Sequence, residues 1–230
     1  MNIEMFINEL KELGIVLTKK QLDQLNQYYN ILIEQNKVTN LTRIVDIEEA
    51  YLKHFYDSLT ITKVIDLNKE NTLCDVGTGA GFPGIVLKIV FPNLKVRLID
   101  STEKKVSFLK KVIDSLKLEN IIAECKRIED IADEYDVVTA RAVAKLNVLI
   151  ELCIPIVRVN GYFVAMKANS ESEILEAENA LKELGGEVLN VLEFNLPVEG
   201  SKRTLIKIRK NKKTSGKYPR KFDKILKNPL

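Results

Sequence analysis

Three cysteines, one histidine and no tryptophan stand among 230 residues, and no apolar run approaches the length of a membrane span. Cys74, Cys125 and Cys153 are scattered without paired spacing, so neither a disulfide framework nor a zinc site is indicated. A soluble protein in a reducing cytoplasm is expected. Glu4, Glu9, Lys11 and Glu12 interrupt the opening apolar residues and argue against a secretory signal. Acidic residues are nearly missing from one end: residues 202–230 hold 12 Lys/Arg against the single acid Asp223, leaving 23 bases and 31 acids upstream. The body is therefore near −8 and the tail near +11. A basic arm of that density points to a polyanion.

What the chain does have is glycine in one place. Leu73 to Gly84 reads as a short apolar strand that ends on Asp75 and breaks into glycines at 77, 79, 81 and 84. Removing every Cβ from one face of a loop lets the backbone bend sharply and a flat, polar cofactor approach it. Two ligands compete for such a turn. Asp75-x-Gly77-x-Gly79-x-Gly81 resembles the first motif of S-adenosylmethionine-dependent methyltransferases. Gly79-x-Gly81-x-x-Gly84, with Asp100 about twenty residues downstream, matches the dinucleotide fingerprint of NAD-dependent oxidoreductases. Against the second stands Pro83, which supplies no N–H where a helix would open toward a pyrophosphate.

Periodicity divides the chain into an all-helical opening (1–70), an alternating α/β body (71–210) and the basic tail (211–230). Ile3, Phe6, Ile7, Leu10 and Leu13 mark a helix that Gly14 ends, Thr18 with Gln21 forms a capping box for a second, and a third starts after Asp46. Strands are expected at 72–76, 95–99, 121–125, 136–140 and 161–166, with helices at 84–91, 103–117, 146–157 and 171–184. That alternation predicts a mostly parallel, doubly wound sheet. Two last strands, 187–196 and 203–209, joined by Pro197 to Gly200 without a helix, predict an antiparallel hairpin, the usual ending of a class I methyltransferase sheet. Ligands of open α/β sheets collect at the carboxyl ends of strands, where this chain has Asp75, Asp100, Arg127 to Asp130 and Arg141. Asp100 suits the paired hydroxyls of a ribose.

These residues together resemble the bacterial small-subunit (16S) ribosomal RNA guanine-N7 methyltransferases, also called glucose-inhibited division protein B. The likeness runs through Asn40-Leu41-Thr42, His54 with Asp57-Ser58-Leu59, the Gly77-to-Gly84 loop with its Gly-Phe-Pro-Gly ending, and Asp100-Ser101 with Lys104 and Lys105. It continues through Arg127 to Asp130, Arg141-Ala142, Lys167, Arg203, Tyr218-Pro219-Arg220 and the terminal Pro229-Leu230. Gln35 departs from the pattern, standing where the family often has tryptophan. The resemblance implies a class I fold behind an N-terminal helical subdomain, and S-adenosyl-L-methionine as cofactor. Asp75, Gly77, Gly79, Phe82, Asp100, Ile128, Glu129 and Arg141 would stand at the donor, with Arg141 in a positioning role. Lys167, Arg203, Tyr218 and Arg220 would stand at the substrate. The implied partner is 16S ribosomal RNA or a small-subunit assembly particle, with no membrane and a monomeric enzyme.

Absences support that chemistry. Guanine N7 has a free lone pair and no proton, so no general base is required. The fourth strand leads into Thr139-Ala-Arg-Ala142 rather than the Asn/Asp-Pro-Pro-aromatic turn that grips exocyclic amines. Cys153 lies in an apolar stretch and reads as core, not as the nucleophile of a pyrimidine C5 enzyme. His54 reads as a buried helix histidine bonded to Asp57. Tyr218 and Phe222 are candidate stacking residues for RNA, and removing the tail after Lys210 is expected to spare donor binding. A small-molecule methyltransferase and an RNA-binding module with a vestigial cofactor fold remain alternatives.

Overall fold

Seven strands form one sheet in the computed structural model, which describes every residue except 142 and 169–172. The strands are β1 Thr72–Val76, β2 Lys95–Asp100, β3 Ile121–Cys125, β4 Tyr135–Arg141, β5 Val157–Lys167, β6 Gly186–Asn195 and β7 Lys202–Lys210. Their order is β3-β2-β1-β4-β5-β7-β6. The first five run parallel, whereas β7 is antiparallel to both β5 and β6. The chain reverses its direction of travel across the sheet between β1 and β4, the switch point at which such sheets bind ligands.

Alternation along the strands sends neighbouring side chains to opposite cores. Leu73, Val137 and Val164 enter one apolar cluster and Cys74, Val138 and Phe163 the other. The first cluster also contains Phe6, Leu25, Tyr28 and Phe55, so the N-terminal helices share a core with the sheet. Those helices are α1 Ile3–Glu12 and α2 Lys19–Thr39, followed by α3 Ile47–Ala50, a π-helical turn Tyr51–Tyr56, α4 Asp57–Leu59 and a 3-10 turn Thr60–Lys63. The Thr18/Gln21 capping box forms as expected, and Asp46 caps α3 through Glu49 N–H at 2.9 Å. On the same face lie α5 Gly84–Val90 and α6 Glu103–Ser115; the other face carries α7 Leu146–Cys153, α8 Glu173–Glu176 and α9 Glu178–Leu184.

Three expectations change. The helix expected at 146–157 stops at Cys153, and a 3-10 turn Ile154–Ile156 leads directly into β5. Pro155 has no N–H to continue an α-helix, and the apolar run gave no periodicity to mark the switch. The helix expected at 171–184 is broken at Ala177, with its first two residues outside the described set. The tail forms a helix, α10 Phe222–Lys227, whose Ile225 is fully buried.

The glycine turn fits because side chains are missing where it meets the sheet. A Cβ on Gly84 would stand 2.2 Å from Leu98 Cδ2 and 2.8 Å from Asp75 Oδ2. Gly81 has φ +101°, and its Cβ would stand 2.6 Å from the Tyr28 hydroxyl. Gly84→Ala is expected to cost about 1–3 kcal/mol, the usual penalty for overpacking, read as a lower urea midpoint; an unchanged midpoint would refute this close packing.

Candidate active site

One buried carboxylate organises the turn. Asp75 has no exposed surface, and its Oδ2 accepts from Thr78 Oγ1 at 2.7 Å and from Gly84 N–H at 2.8 Å. Burial pushes its pKa up to about 6 against the lowering effect of those two bonds, and Oδ1 has no partner among the described residues. Expected at the donor, Asp75 instead lies beneath the loop and holds it.

Most other donors of the turn are also used internally. Gly77 and Thr78 N–H go to the Ile99 carbonyl, Gly81 and Phe82 to Thr78, and Ile85 to Gly81, at 2.8–3.1 Å. Gly79 N–H donates to Asp100 Oδ2 at 3.0 Å, and Pro83 has none to give. A pyrophosphate needs several free N–H groups at the helix start, and with most of these committed the turn is a poor cradle for a dinucleotide. S-adenosylmethionine carries no phosphate and fits this limit.

Beside the turn, Gly77, Asp100, Ile128, Glu129, Leu152 and Phe222 line a crevice with about 110 Å³ of enclosed space. That is a few waters' worth, so only part of a nucleoside would be enclosed and the rest would lie along the open rim. Asp100 reaches it from the end of β2, with Oδ1 accepting Thr102 N–H at 2.9 Å and Oδ2 shared between Gly79 N–H and Lys105. Ile128 and Glu129 come from a 3-10 turn after β3. The structure therefore brings Gly77, Asp100, Ile128 and Glu129 to one crevice, with Gly79 tied to it through Asp100.

Phe82 and Arg141 lie elsewhere. The Phe82 ring is turned into the helical cap, stacked on Tyr28 at 5.3 Å and on His54 at 4.2 Å, with Arg141 5.3 Å over its face. Tyr28 donates its hydroxyl to the Ala80 carbonyl, fastening α2 to the glycine loop. Arg141 lines a second cavity of about 310 Å³ together with Lys53, His54, Asp57, Lys167 and Arg203. Asp57 joins two of these cations: both its oxygens accept from Arg203 Nε at 3.1 Å, and Oδ2 lies 3.4 Å from Arg141 Nη1. Burial lowers the basicity of Arg141, while Asp57 and Asp75 oppose that shift. Lys167 is held by Glu173 at 2.6 Å and the Ala144 carbonyl at 2.9 Å.

His54 does not bond Asp57. Its Nε2 meets Thr42 Oγ1 at 2.9 Å, and its buried Nδ1 has no partner among the described residues. Tyr218 and Arg220 are also placed differently from expectation. Tyr218 hydroxyl donates to Glu183 at 3.0 Å, and Arg220 grips both oxygens of Glu151, a fully buried carboxylate on α7, at 2.5–2.6 Å. Arg220 is thus committed to the protein, where a charge partner is needed, rather than presented to a polyanion. Phe222, a candidate stacking residue for RNA by sequence, lines the same crevice as Gly77 and Asp100. Tyr28 and Lys53 also escaped sequence reading, because a core-facing helix residue and one lysine among many carry no local signal.

Comparison with known proteins adds an independent line. A family model described as rRNA small subunit methyltransferase G matches residues 21–205. The chain is 49% identical to the Ribosomal RNA small subunit methyltransferase G of Bacillus subtilis, covering 100% of this chain and 99% of that one. It is 46% identical to the protein of the same name from Staphylococcus carnosus, over 100% and 99%. Among solved structures, a SAM dependent methyltransferase from Aquifex aeolicus superposes with a TM-score of 0.55 at 20% identity, covering 74% of this chain and 96% of that one. That last likeness concerns the fold.

His54 generates a pH prediction. Burial, then the nearby Arg141 charge, pushes its pKa from 6.5 down to about 3. Unfolded, it takes a proton below pH 6.5; folded, it does so only near pH 3, so its contribution is present above 6.5 and lost as pH falls toward 3. Asp75, raised from 3.8 to about 6, acts oppositely and favours the folded state as pH falls through that window. His54→Phe should therefore gain stability relative to wild type on acidification below pH 6.5, by up to about 1.4 kcal/mol per pH unit. Urea titrations at several pH values check this; parallel curves for the two proteins would contradict it.

Proposed function

The chain belongs to the rRNA small subunit methyltransferase G family, and from that membership we propose that it methylates N7 of a guanine in 16S ribosomal RNA. It is an S-adenosylmethionine-dependent methyltransferase. The observation that carries the reading is the pairing of two sites on one sheet edge. One is a crevice whose turn has spent most of its N–H groups internally; the other is a cation-rimmed cavity at the ends of β4 and β5.

The donor, when bound, supplies an electrophilic methyl on a positively charged sulfur. The guanine N7 lone pair forms the new N–C bond as the S–C bond breaks and sulfur keeps that electron pair, so no proton moves and no base is needed. Asp100 is suited to the ribose hydroxyls, and Ile128 with Ile99 to the adenine faces. Arg141 remains a cation and orients rather than accepts protons. Arg141, Lys167 and Arg203 offer phosphate and base-edge contacts, while Asp57 fixes two of the three guanidinium and ammonium groups in place. His54 stays neutral on the Phe82 face and presents an apolar wall with one free ring nitrogen. Catalysis is then mainly alignment, which can supply on the order of 7–11 kcal/mol.

Among the described residues no helix is long and apolar enough to cross a membrane. The unpaired cations of the tail, including Lys221 and Lys224, are exposed and suit a polyanionic partner.

Transfer of a labelled methyl group to small-subunit RNA or to intact subunits, and not to tRNA, is expected. Calorimetry should show S-adenosylmethionine binding and no NADH binding; the reverse would defeat the reading. Arg203→Ala should lower kcat/KM for RNA by about ten-fold or more and leave the donor Kd within about two-fold, as fits an interaction made with RNA alone.

A further inference from the structure

The basic tail does more than carry charge. Between Lys217 and Leu230 the chain folds back across the sheet edge and is fastened at several points. Arg220 makes a bidentate ion pair with the buried Glu151, and its Nη2 donates to the Asn228 carbonyl at 3.1 Å. Ile225 is fully buried, and Tyr218, Phe222 and Leu230 pack against the same apolar cluster as α7. Such anchoring holds α10 in one place although a six-residue helix would not persist alone.

That place is the donor crevice. Phe222 lines it together with Gly77 and Asp100 and is the only aromatic side chain among the described residues that do so. Its backbone N–H donates to Glu129 Oε1 at 3.2 Å, so the helix also restrains one of the crevice's own carboxylates. Val76, Ile99, Ile128, Val143 and Leu152 supply its aliphatic wall, and Ser101, Lys126, Arg127 and Glu129 its polar one. A slot with an aliphatic wall, one aromatic face and polar groups on the other side, next to a carboxylate that can take a diol, suits a purine nucleoside.

We propose that Phe222 is a donor-binding residue, packing its ring on the adenine of S-adenosylmethionine, and that donor binding and docking of the C-terminal helix are therefore linked. This rests on the reading of the crevice as the donor site. Linkage is reciprocal: a ligand that touches the docked helix holds it down, and a helix that is released costs the ligand affinity.

Titration of wild type, Phe222→Ala and Phe222→Leu with S-adenosylhomocysteine, alongside trypsin digestion with and without that ligand, tests this. Loss of an aromatic face against a base is expected to raise Kd by about ten-fold or more in Phe222→Ala, with a smaller loss in Phe222→Leu, which keeps an apolar side chain. In wild type the ligand should slow cleavage at Lys221 and Lys224. Lys221→Ala and Lys224→Ala, which change exposed cations on the same segment, should leave Kd within about two-fold. The proposal falls if folded Phe222→Ala binds within two-fold of wild type, or if the ligand gives wild type no protection at those lysines. Wild type failing to bind at all would bring down the donor reading itself, and this inference with it.

Discussion

Asp75 is the constraint on which the site depends. A carboxylate with no access to solvent must find donors inside the protein, and the two it finds, Thr78 Oγ1 and Gly84 N–H, lie at the two ends of the glycine turn. Meeting that need draws the turn shut over the end of β1 and brings α5 against the sheet, as the close approach of Gly84 to Leu98 records. It also consumes the N–H that a phosphate would have used. The choice of a phosphate-free donor over a dinucleotide thus follows from how a buried charge is satisfied, one step removed from the ligand.

The second consequence concerns the helical cap. Tyr28 closes on the loop from α2, Phe82 projects back, and His54 and Arg141 also pack on that ring. The cap is therefore part of the site's wall, and the π-helical turn at Tyr51–Tyr56 lies where the chain delivers Lys53 and His54 to the cavity. Arg141 takes the Lys53 carbonyl at 3.0 Å, joining the end of β4 to this turn. Neutral His54 beside cationic Arg141 is consistent: burial and that charge both act against a second proton in the stack.

Much of the architecture was legible because its signals are local. β1 and β3 have the bounds expected of them, and the hairpin follows from two β-rich runs with Pro197 and Gly200 between them. The capping box at Thr18 and Gln21 is likewise written in adjacent residues. What could not be read depends on distant partners. Asp57 meets Arg203 from 146 positions away, and no spacing rule forecasts that pair. The tail helix has Phe222, Ile225 and Leu226 as an apolar i, i+3, i+4 signal confined to one turn amid lysines, too short to distinguish a docked helix from a solvated arm. Asp75 looked like a ligand contact because motif position does not say which way a side chain faces.

The hairpin has an effect beyond closing the sheet. Because β7 runs against its neighbours, its first residues, Lys202 to Thr204, arrive at the edge where the parallel strands finish, and Arg203 stands among their terminal side chains. The turn between β6 and β7 therefore borders that edge, while the middle of β7 remains tied into the core at Ile206 and Ile208. Extra residues inserted there would widen the footprint on a large acceptor without disturbing the folded interior. A scaffold of this kind can be refitted to new targets by changing the length of a single exposed bend.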